Sequence, residues 1–278
     1  MIGEPGRRVR RLARPSPDAR RIPIRRDSHR PAGRDGLHAL VIQHEQSAPG
    51  GYVDGWLADR GAEREVLRID EESRELDPRD FHLIVSLGSE HAAFDASIPW
   101  IERERLLLRA AREADVPVLG LCFGSQLLAR ALGGDAFRSE RPEIGWLPVR
   151  TRDESLVPSG PWLQWHYDTF TPPPGSRLVA DSPVGPQAYV IGRSLGAQFH
   201  PEVTPEIVEA WLGASRDELV RAGIDPDRLL AETNEHAGRA RAAAWRLFDA
   251  FLERVAGLAR RERRSPAGEG SLTREHGD

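Results

Sequence analysis

Residues 116–134 read VPVLGLCFGSQLLARALGG and hold the only cysteine of the chain. An apolar run of strand length ends at Cys122, and the residues after Gly124 place apolar side chains at helical spacing. Gly120, Cys122 and Gly124 form Gly-x-Cys-x-Gly, the pattern of a nucleophile elbow, a sharp strand-to-helix turn that pushes one side chain outward. Glycine on either side matters because a Cβ there would crowd the turn and block a substrate. At a helix start, the positive end of the dipole and nearby free N–H groups favour the reactive thiolate. The N–H of Phe123 would point to where an oxyanion forms. A lone cysteine is as readily a buried structural thiol, so the elbow alone leaves both readings open.

Upstream, LHALVIQ from Leu37 is a buried-strand run, and GGYVDGWLADRG reads as a turn and short helix closed by Gly61. EREVLRI alternates like a strand, and FHLIVSLG is a second buried run. IPWIERERLLLRAAREADV carries Ile101, Leu108 and Ala111 on one helical face. This order predicts an α/β fold, with a largely parallel central sheet flanked by helices. Downstream come the shorter strand-like runs GWLPVRT, SRLVADS, QAYVIG and LGAQFH, with a proline-rich corner at TFTPPPG. Thr204 before Pro205 and Asp225 before Pro226 are helix starts. Trp245, Phe248, Phe251, Leu252 and Val255 line a last helix. With no internal repeat, residues 37–258 read as one domain including extra C-terminal helices. Residues 1–36 read as a disordered Arg-rich extension and 259–278 as a disordered tail.

The 278 residues carry a net charge of -4, and all 39 basic residues are arginine. The arginine-rich head reads as solvated chain rather than a nucleic-acid or membrane site. No apolar run approaches the ~20 residues of a membrane span, and no apolar stretch follows the first arginines as in a signal peptide. One cysteine forms no internal disulfide, so the chain reads as cytoplasmic. It offers no zinc-type spacing and no Gly-rich phosphate loop, so neither a metal nor a cofactor is expected.

A nucleophile needs a base, and the base an orienting group. QFHPEV supplies both: His200 closes an apolar run, and Glu202, two residues on, projects to the same side. Alone, the pair would read as a solvated loop; after an elbow it reads as machinery. The order Cys, His, Glu argues against an α/β-hydrolase, whose acid precedes its histidine.

Together, VLGLCFGSQLLARALGG and QFHPEV resemble the class I, triad-type glutamine amidotransferases, over about Leu37 to Trp211. The resemblance implies a glutaminase in which Cys122 is the nucleophile, His200 the base and acid, and Glu202 the orienting carboxylate. The intermediate would be a glutamyl thioester. It places Gln126 and the QWHYDTF segment, with Trp165 and His166, at the bound glutamine. LGSE matches a loop that usually reads Gly-Gly-Pro and gives an oxyanion N–H, which assigns Gly88 and Ser89 alongside Phe123. Here Ser89 and Glu90 replace the second glycine and the proline, and serine resists positive φ. Tyr167 stands where the family usually has glycine. PEIGWLPV, with Glu143, Gly145 and Trp146, is similar to amidotransferase domains related to GMP synthase; Trp146, Trp162 and Trp165 read first as packing residues.

Glutamine is the implied substrate. A separate synthetase that consumes the ammonia, or a second copy of the chain, is the implied partner. Two alternatives stand beside this reading: a γ-glutamyl peptide or conjugate hydrolase with the same triad, and a non-catalytic regulatory or binding homologue.

Overall fold

The structure is a computed structural model describing residues 36–258, so the expected Arg-rich extension and tail lie outside the described residues, Gly36 apart. The first half follows the expected alternation: β1 (His38–Gln43), α1 (Tyr52–Asp59), β2 (Glu63–Arg68), β3 (Leu83–Ser86), α2 (Pro99–Glu113) and β4 (Val118–Leu121). After the elbow come α3 (Phe123–Ala131), β5 (Asp135–Leu147), β6 (Arg150–Thr151), β7 (Trp162–Thr171) and β8 (Arg177–Asp181). β9 (Pro186–Ile191), β10 (Ser194–Ala197), α4 (Pro205–Arg221) and α5 (Pro226–Ala250) complete the order.

The main sheet runs β2-β1-β3-β4-β10-β9-β8-β6. Its first five strands are parallel, and β9, β8 and β6 join antiparallel. β5 and β7 form a separate antiparallel pair. The central strands read as continuous apolar runs because both faces are covered. Ala39 and Val41 of β1 join a core with Trp56 of α1 and Phe248 of α5. Leu40 and Ile42 join the opposite core, with Leu108 of α2 and Leu127 of α3. A third cluster lies between Leu163 of β7 and Ile207, Val208 and Leu212 of α4. Both expected helix starts are present: Thr204 accepts the Ile207 N–H, and Asp225 accepts those of Asp227 and Arg228.

The structure corrects two details and adds a third. DRLLAET and the last helix are one 25-residue helix, α5, ending in a π-helical turn over Phe251–Val255. GWLPVRT is divided, with its first part ending β5 and Arg150–Thr151 joining the main sheet as β6. QWHYDTF lies within the ten-residue strand β7. Between the buried Trp162 and Phe170, the middle of its buried row is polar (Gln164, His166, Asp168), whereas Trp165 and Tyr167 are only partly covered. Over residues 164–168 the alternation therefore runs opposite to the usual apolar-inside sense. Among the described residues, no helix is long and apolar enough to cross a membrane.

Candidate active site

In open α/β sheets, ligands bind in the crevice beyond the carboxyl ends of the parallel strands. Four such ends converge here: Cys122 follows β4, Gly88 and Ser89 follow β3, His200 follows β10, and His44 and Glu45 follow β1.

Cys122 sits at φ 48°, ψ -108°, a conformation L residues rarely adopt. Its N–H donates to the Ala197 carbonyl (2.8 Å), and its carbonyl accepts the N–H groups of Ser125 (3.0 Å) and Gln126 (3.1 Å). The flanking glycines are required by close approach. A Cβ at Gly120 would lie 2.6 Å from the Gly124 carbonyl oxygen, and one at Gly124 would strike the Ser86 backbone. Gly124 instead donates its N–H to the Leu87 carbonyl (3.0 Å), which binds the elbow to the chain leaving β3.

His200 is locked on two sides. Its N–H donates to the Leu163 carbonyl (2.9 Å), and its Nδ1 lies 2.7 Å from Glu202 Oε1. A carboxylate accepts, so Nδ1 carries the hydrogen and Nε2, which forms no other bond, is left for Cys122. Burial opposes a charge on His200, but the neighbouring Cys122 sulfur and the Glu202 carboxylate outweigh it and hold its pKa well above the ordinary histidine value. Glu202 is buried, and its backbone carbonyl accepts the Tyr52 N–H (2.6 Å).

Across the crevice, a Cβ on Gly88 would lie 3.0 Å from His200 Cε1 and 3.8 Å from Cys122 Cβ, so this loop borders the two groups directly. Ser89 does not adopt positive φ; among the described residues, the non-glycine residues that do are Asp115 and Cys122. The Ser89 hydroxyl donates to Glu45 Oε2 (3.0 Å) and the Glu90 N–H to Glu45 Oε1 (2.9 Å).

The site's floor is a buried amide network. Gln198 Nε2 reaches Cys122 Sγ at 3.7 Å, while Gln126 Nε2 donates to Gln198 Oε1 and to the Asp168 carbonyl, both at 3.2 Å. His166 lies beside it, with Nδ1 on the Asp168 carbonyl (3.0 Å) and Nε2 near Gln164 Oε1 (3.1 Å) and Glu143 Oε2 (3.3 Å). Trp165 packs edge-on against Trp211 of α4 (5.5 Å), and Trp211 in turn meets the His200 ring edge-on (5.1 Å). Trp146 and Trp162 are packing residues: Trp146 Nε1 bonds Thr233 Oγ1 (2.9 Å), and Trp162 stacks on Phe199. Tyr167 faces α4, where burial and the neighbouring Glu218 carboxylate push its pKa up to about 12.

The nine residues assigned to the site are thus joined by contacts that lead back to Cys122 and His200. His44, Glu45, Glu104 and Gln198 escaped sequence reasoning. A signal existed for Glu104, a charged residue on the apolar face marked by Ile101, Leu108 and Ala111. Another existed for His44 and Glu45, which directly follow a buried parallel strand. Among the described residues, no group of three or more His, Cys, Asp or Glu side chains is arranged to hold a metal.

The sequence model of the class I glutamine amidotransferases matches residues 54–210. The chain belongs to that family. Among curated relatives, a glutamine-hydrolyzing GMP synthase of Thermus thermophilus is 40% identical over 144 residues, 45% of this chain and 28% of that protein. A single subunit of the glutamine-hydrolyzing GMP synthase of Sulfurisphaera tokodaii is 34% identical over 96 residues, 31% of this chain and 51% of that protein. The chain thus aligns with only part of these relatives' length. A crystal structure of a glutamine amidotransferase from Thermotoga maritima matches with TM-score 0.72 and 28% identity, over 79% of this chain and 100% of that one. One from Methylobacillus flagellatus matches with TM-score 0.73 and 28% identity, over 86% and 98%. As an amidotransferase of this class, the chain has the α/β architecture its sequence predicts.

Proposed function

We propose that this amidotransferase hydrolyses the side-chain amide of glutamine through a thioester on Cys122 and passes the ammonia to a separate acceptor enzyme. The observation that carries the reading is the Cys122–His200–Glu202 arrangement, a strained elbow thiol facing an imidazole whose other nitrogen is held 2.7 Å from a buried carboxylate. Cys122 gives its proton to His200 Nε2, and Sγ attacks the amide carbon. The oxyanion takes hydrogen bonds from the N–H groups of Phe123 and Ser89, each such donor contributing ~3–4 kcal/mol in comparable sites. Imidazolium returns the proton to the leaving nitrogen, so ammonia departs and the glutamyl thioester remains. A water then loses a proton to His200 and attacks the thioester; collapse releases glutamate and regenerates the thiol. Glu202 keeps Nδ1 protonated and the ring aimed throughout. Gln126, Trp165 and His166 belong to the glutamine pocket in this reading. The Sulfurisphaera tokodaii relative, named as one part of a divided GMP synthase, supports a separate acceptor.

A second reading, hydrolysis of a bulkier γ-glutamyl amide, is favoured by one observation. The Trp165–Trp211 pair forms an aromatic wall beside His200, the group that protonates the leaving nitrogen. The test is glutamate release by the purified chain from glutamine and from a panel of γ-glutamyl conjugates, together with labelling by a glutamine-like chloroketone. The first reading expects one equivalent of label on the Cys122 peptide and turnover of glutamine that rises with an acceptor present. High efficiency on a conjugate with little on glutamine selects the second reading. Robust turnover by Cys122→Ala refutes both.

A further inference from the structure

Behind the proposed oxyanion loop lies a second, fully buried acid–histidine pair. Glu104 projects from α2 into the core, where its Oε1 accepts the Ser86 hydroxyl (2.6 Å) and its Oε2 lies 2.7 Å from His44 Nε2. His44 Nδ1 lies 2.9 Å from the Gly88 carbonyl oxygen. Both side chains are 0% exposed. Burying such a pair is costly, and well-packed apolar residues of similar volume are often at least as stabilising, so stability alone does not account for it.

We infer that His44, held by Glu104, is a positioning residue that sets the direction of the Ser89 N–H by gripping the Gly88 carbonyl. The inference rests on the proposed role of Ser89 as an oxyanion donor. The peptide linking Gly88 to Ser89 is planar and trans, so its C=O and N–H point in opposite directions. Fixing the oxygen therefore fixes the N–H, and a flip of this peptide would break the bond to His44. A carbonyl only accepts, so Nδ1 must carry a hydrogen. Nε2 is then either a second N–H facing a carboxylate or a lone pair facing a carboxylic acid; in both states the grip on Gly88 persists. Burial opposes charge on His44, while Glu104 and the Gly88 carbonyl act the other way and leave its pKa raised.

The ring itself has little freedom. It stacks on Trp100 (centroids 5.2 Å apart) and meets Phe123 edge-on (4.6 Å). One imidazole thus touches the Phe123 ring and the carbonyl of the peptide whose N–H belongs to Ser89. Past the peptide, Glu45 holds the Ser89 hydroxyl and the Glu90 N–H, so the loop is fixed on each side of the Ser89 N–H. None of the hydrogen bonds formed among the described residues uses that N–H or the Phe123 N–H.

The test compares His44→Phe, His44→Asn and His44→Gln in the full chain. Asn places an amide donor near the Nδ1 position and keeps the grip on Gly88; Gln reaches toward Glu104 and loses that grip. Three quantities are read: kcat and KM on the best γ-glutamyl substrate, affinity for the γ-aldehyde analogue of glutamine, and the rate of Cys122 alkylation by iodoacetamide. The aldehyde forms an oxyanion on Cys122, whereas iodoacetamide forms none. Misplacing one donor costs about 10²-fold in kcat. His44→Phe and His44→Gln should therefore lose about 10²-fold in kcat and comparably in aldehyde affinity, with KM and alkylation changed by less than about threefold. His44→Asn should recover most of that loss. Wild-type kcat in His44→Phe overturns the inference, as does a loss shared equally by alkylation and KM. Should His44→Phe not fold, equal kcat in His44→Asn and His44→Gln overturns it. If the wild-type chain neither turns over any γ-glutamyl substrate nor binds the aldehyde, the amidotransferase mechanism fails first, and the inference falls with it.

Discussion

Cys122 is held at φ 48°, ψ -108° by its N–H bond to Ala197 and by the start of α3 packed behind it. A side chain in so sparsely populated a region costs ~1–3 kcal/mol, and glycine escapes that cost. At an ordinary position glycine is ~0.5–1 kcal/mol worse than alanine, because it loses more backbone freedom on folding. Replacing Cys122 by alanine or by glycine removes the same buried sulfur, so the two variants differ only by the Cβ and the backbone freedom it restricts. Subtracting the entropy term from the strain term leaves Cys122→Gly more stable than Cys122→Ala by ~0–2.5 kcal/mol, centred near 1. For a domain of this size, that centre corresponds to ~2–4 °C in Tm. Urea unfolding and thermal melts of the two variants measure the difference without reference to turnover. If Cys122→Gly is the less stable by ~0.5–1 kcal/mol, the elbow stores no strain and the reasoning fails.

Two further outcomes follow from the geometry around His200. His200→Ala should lose turnover almost completely in steady-state assays, while Glu202→Gln, which keeps the base and weakens only its orientation, should fall less far; equal losses would count against these roles. Because the Cys122 sulfur is one cause of the raised His200 pKa, Cys122→Ser should lower that pKa in a histidine NMR titration, and an unchanged value would place the thiol elsewhere. The same shift has a stability sign. The proton on His200 stabilises the fold fully below the unfolded value of ~6.5, and that contribution is lost as pH rises through the raised folded pKa.

The half of the fold that carries the elbow was legible because burial on both faces of β1, β3 and β4 leaves uninterrupted apolar runs, and because Pro205 and Pro226 mark their helix starts. β7 was not legible as a strand. Its inward residues Gln164, His166 and Asp168 serve a polar floor, so the hydrophobic alternation that betrays a half-buried strand is reversed. Cys122, His200 and Glu202 were legible as a set because elbow spacing and strand-end spacing are local rules. Glu104 and His44 meet across 60 residues of chain, and nothing local states that a carboxylate on one helix will find an imidazole past a distant strand. Glu104 could still have been flagged, since it interrupts the apolar face of α2.

Ser89 and Glu90, the two departures from the family's Gly-Gly-Pro loop, make sense together with Glu45. Glycine in place of Ser89 would offer no hydroxyl, and proline in place of Glu90 no N–H, so Glu45 Oε2 and Oε1 would lose the donors they hold at 3.0 and 2.9 Å. A half-buried carboxylate gains from those donors: burial raises the Glu45 pKa, while His44 and the bonds from Glu90 and Ser89 act to lower it. The three residues are therefore one matched unit, in which a carboxylate beyond β1 replaces the stiffness a Gly-Pro turn would have supplied. The same short connection from β1 to α1 carries His44, accepts the Trp211 indole N–H on the Ser47 carbonyl (2.8 Å) and gives the Tyr52 N–H to the Glu202 carbonyl (2.6 Å). The Gly88–Glu90 loop, α4 and the acid beside His200 are thus all tied to the short stretch from His44 to Tyr52 in the chain by itself. An acceptor enzyme that raises turnover would have to shift a loop already fixed, not order one that is loose. Trp211 of α4 touches both that stretch and His200, so α4 is part of the same fixed unit.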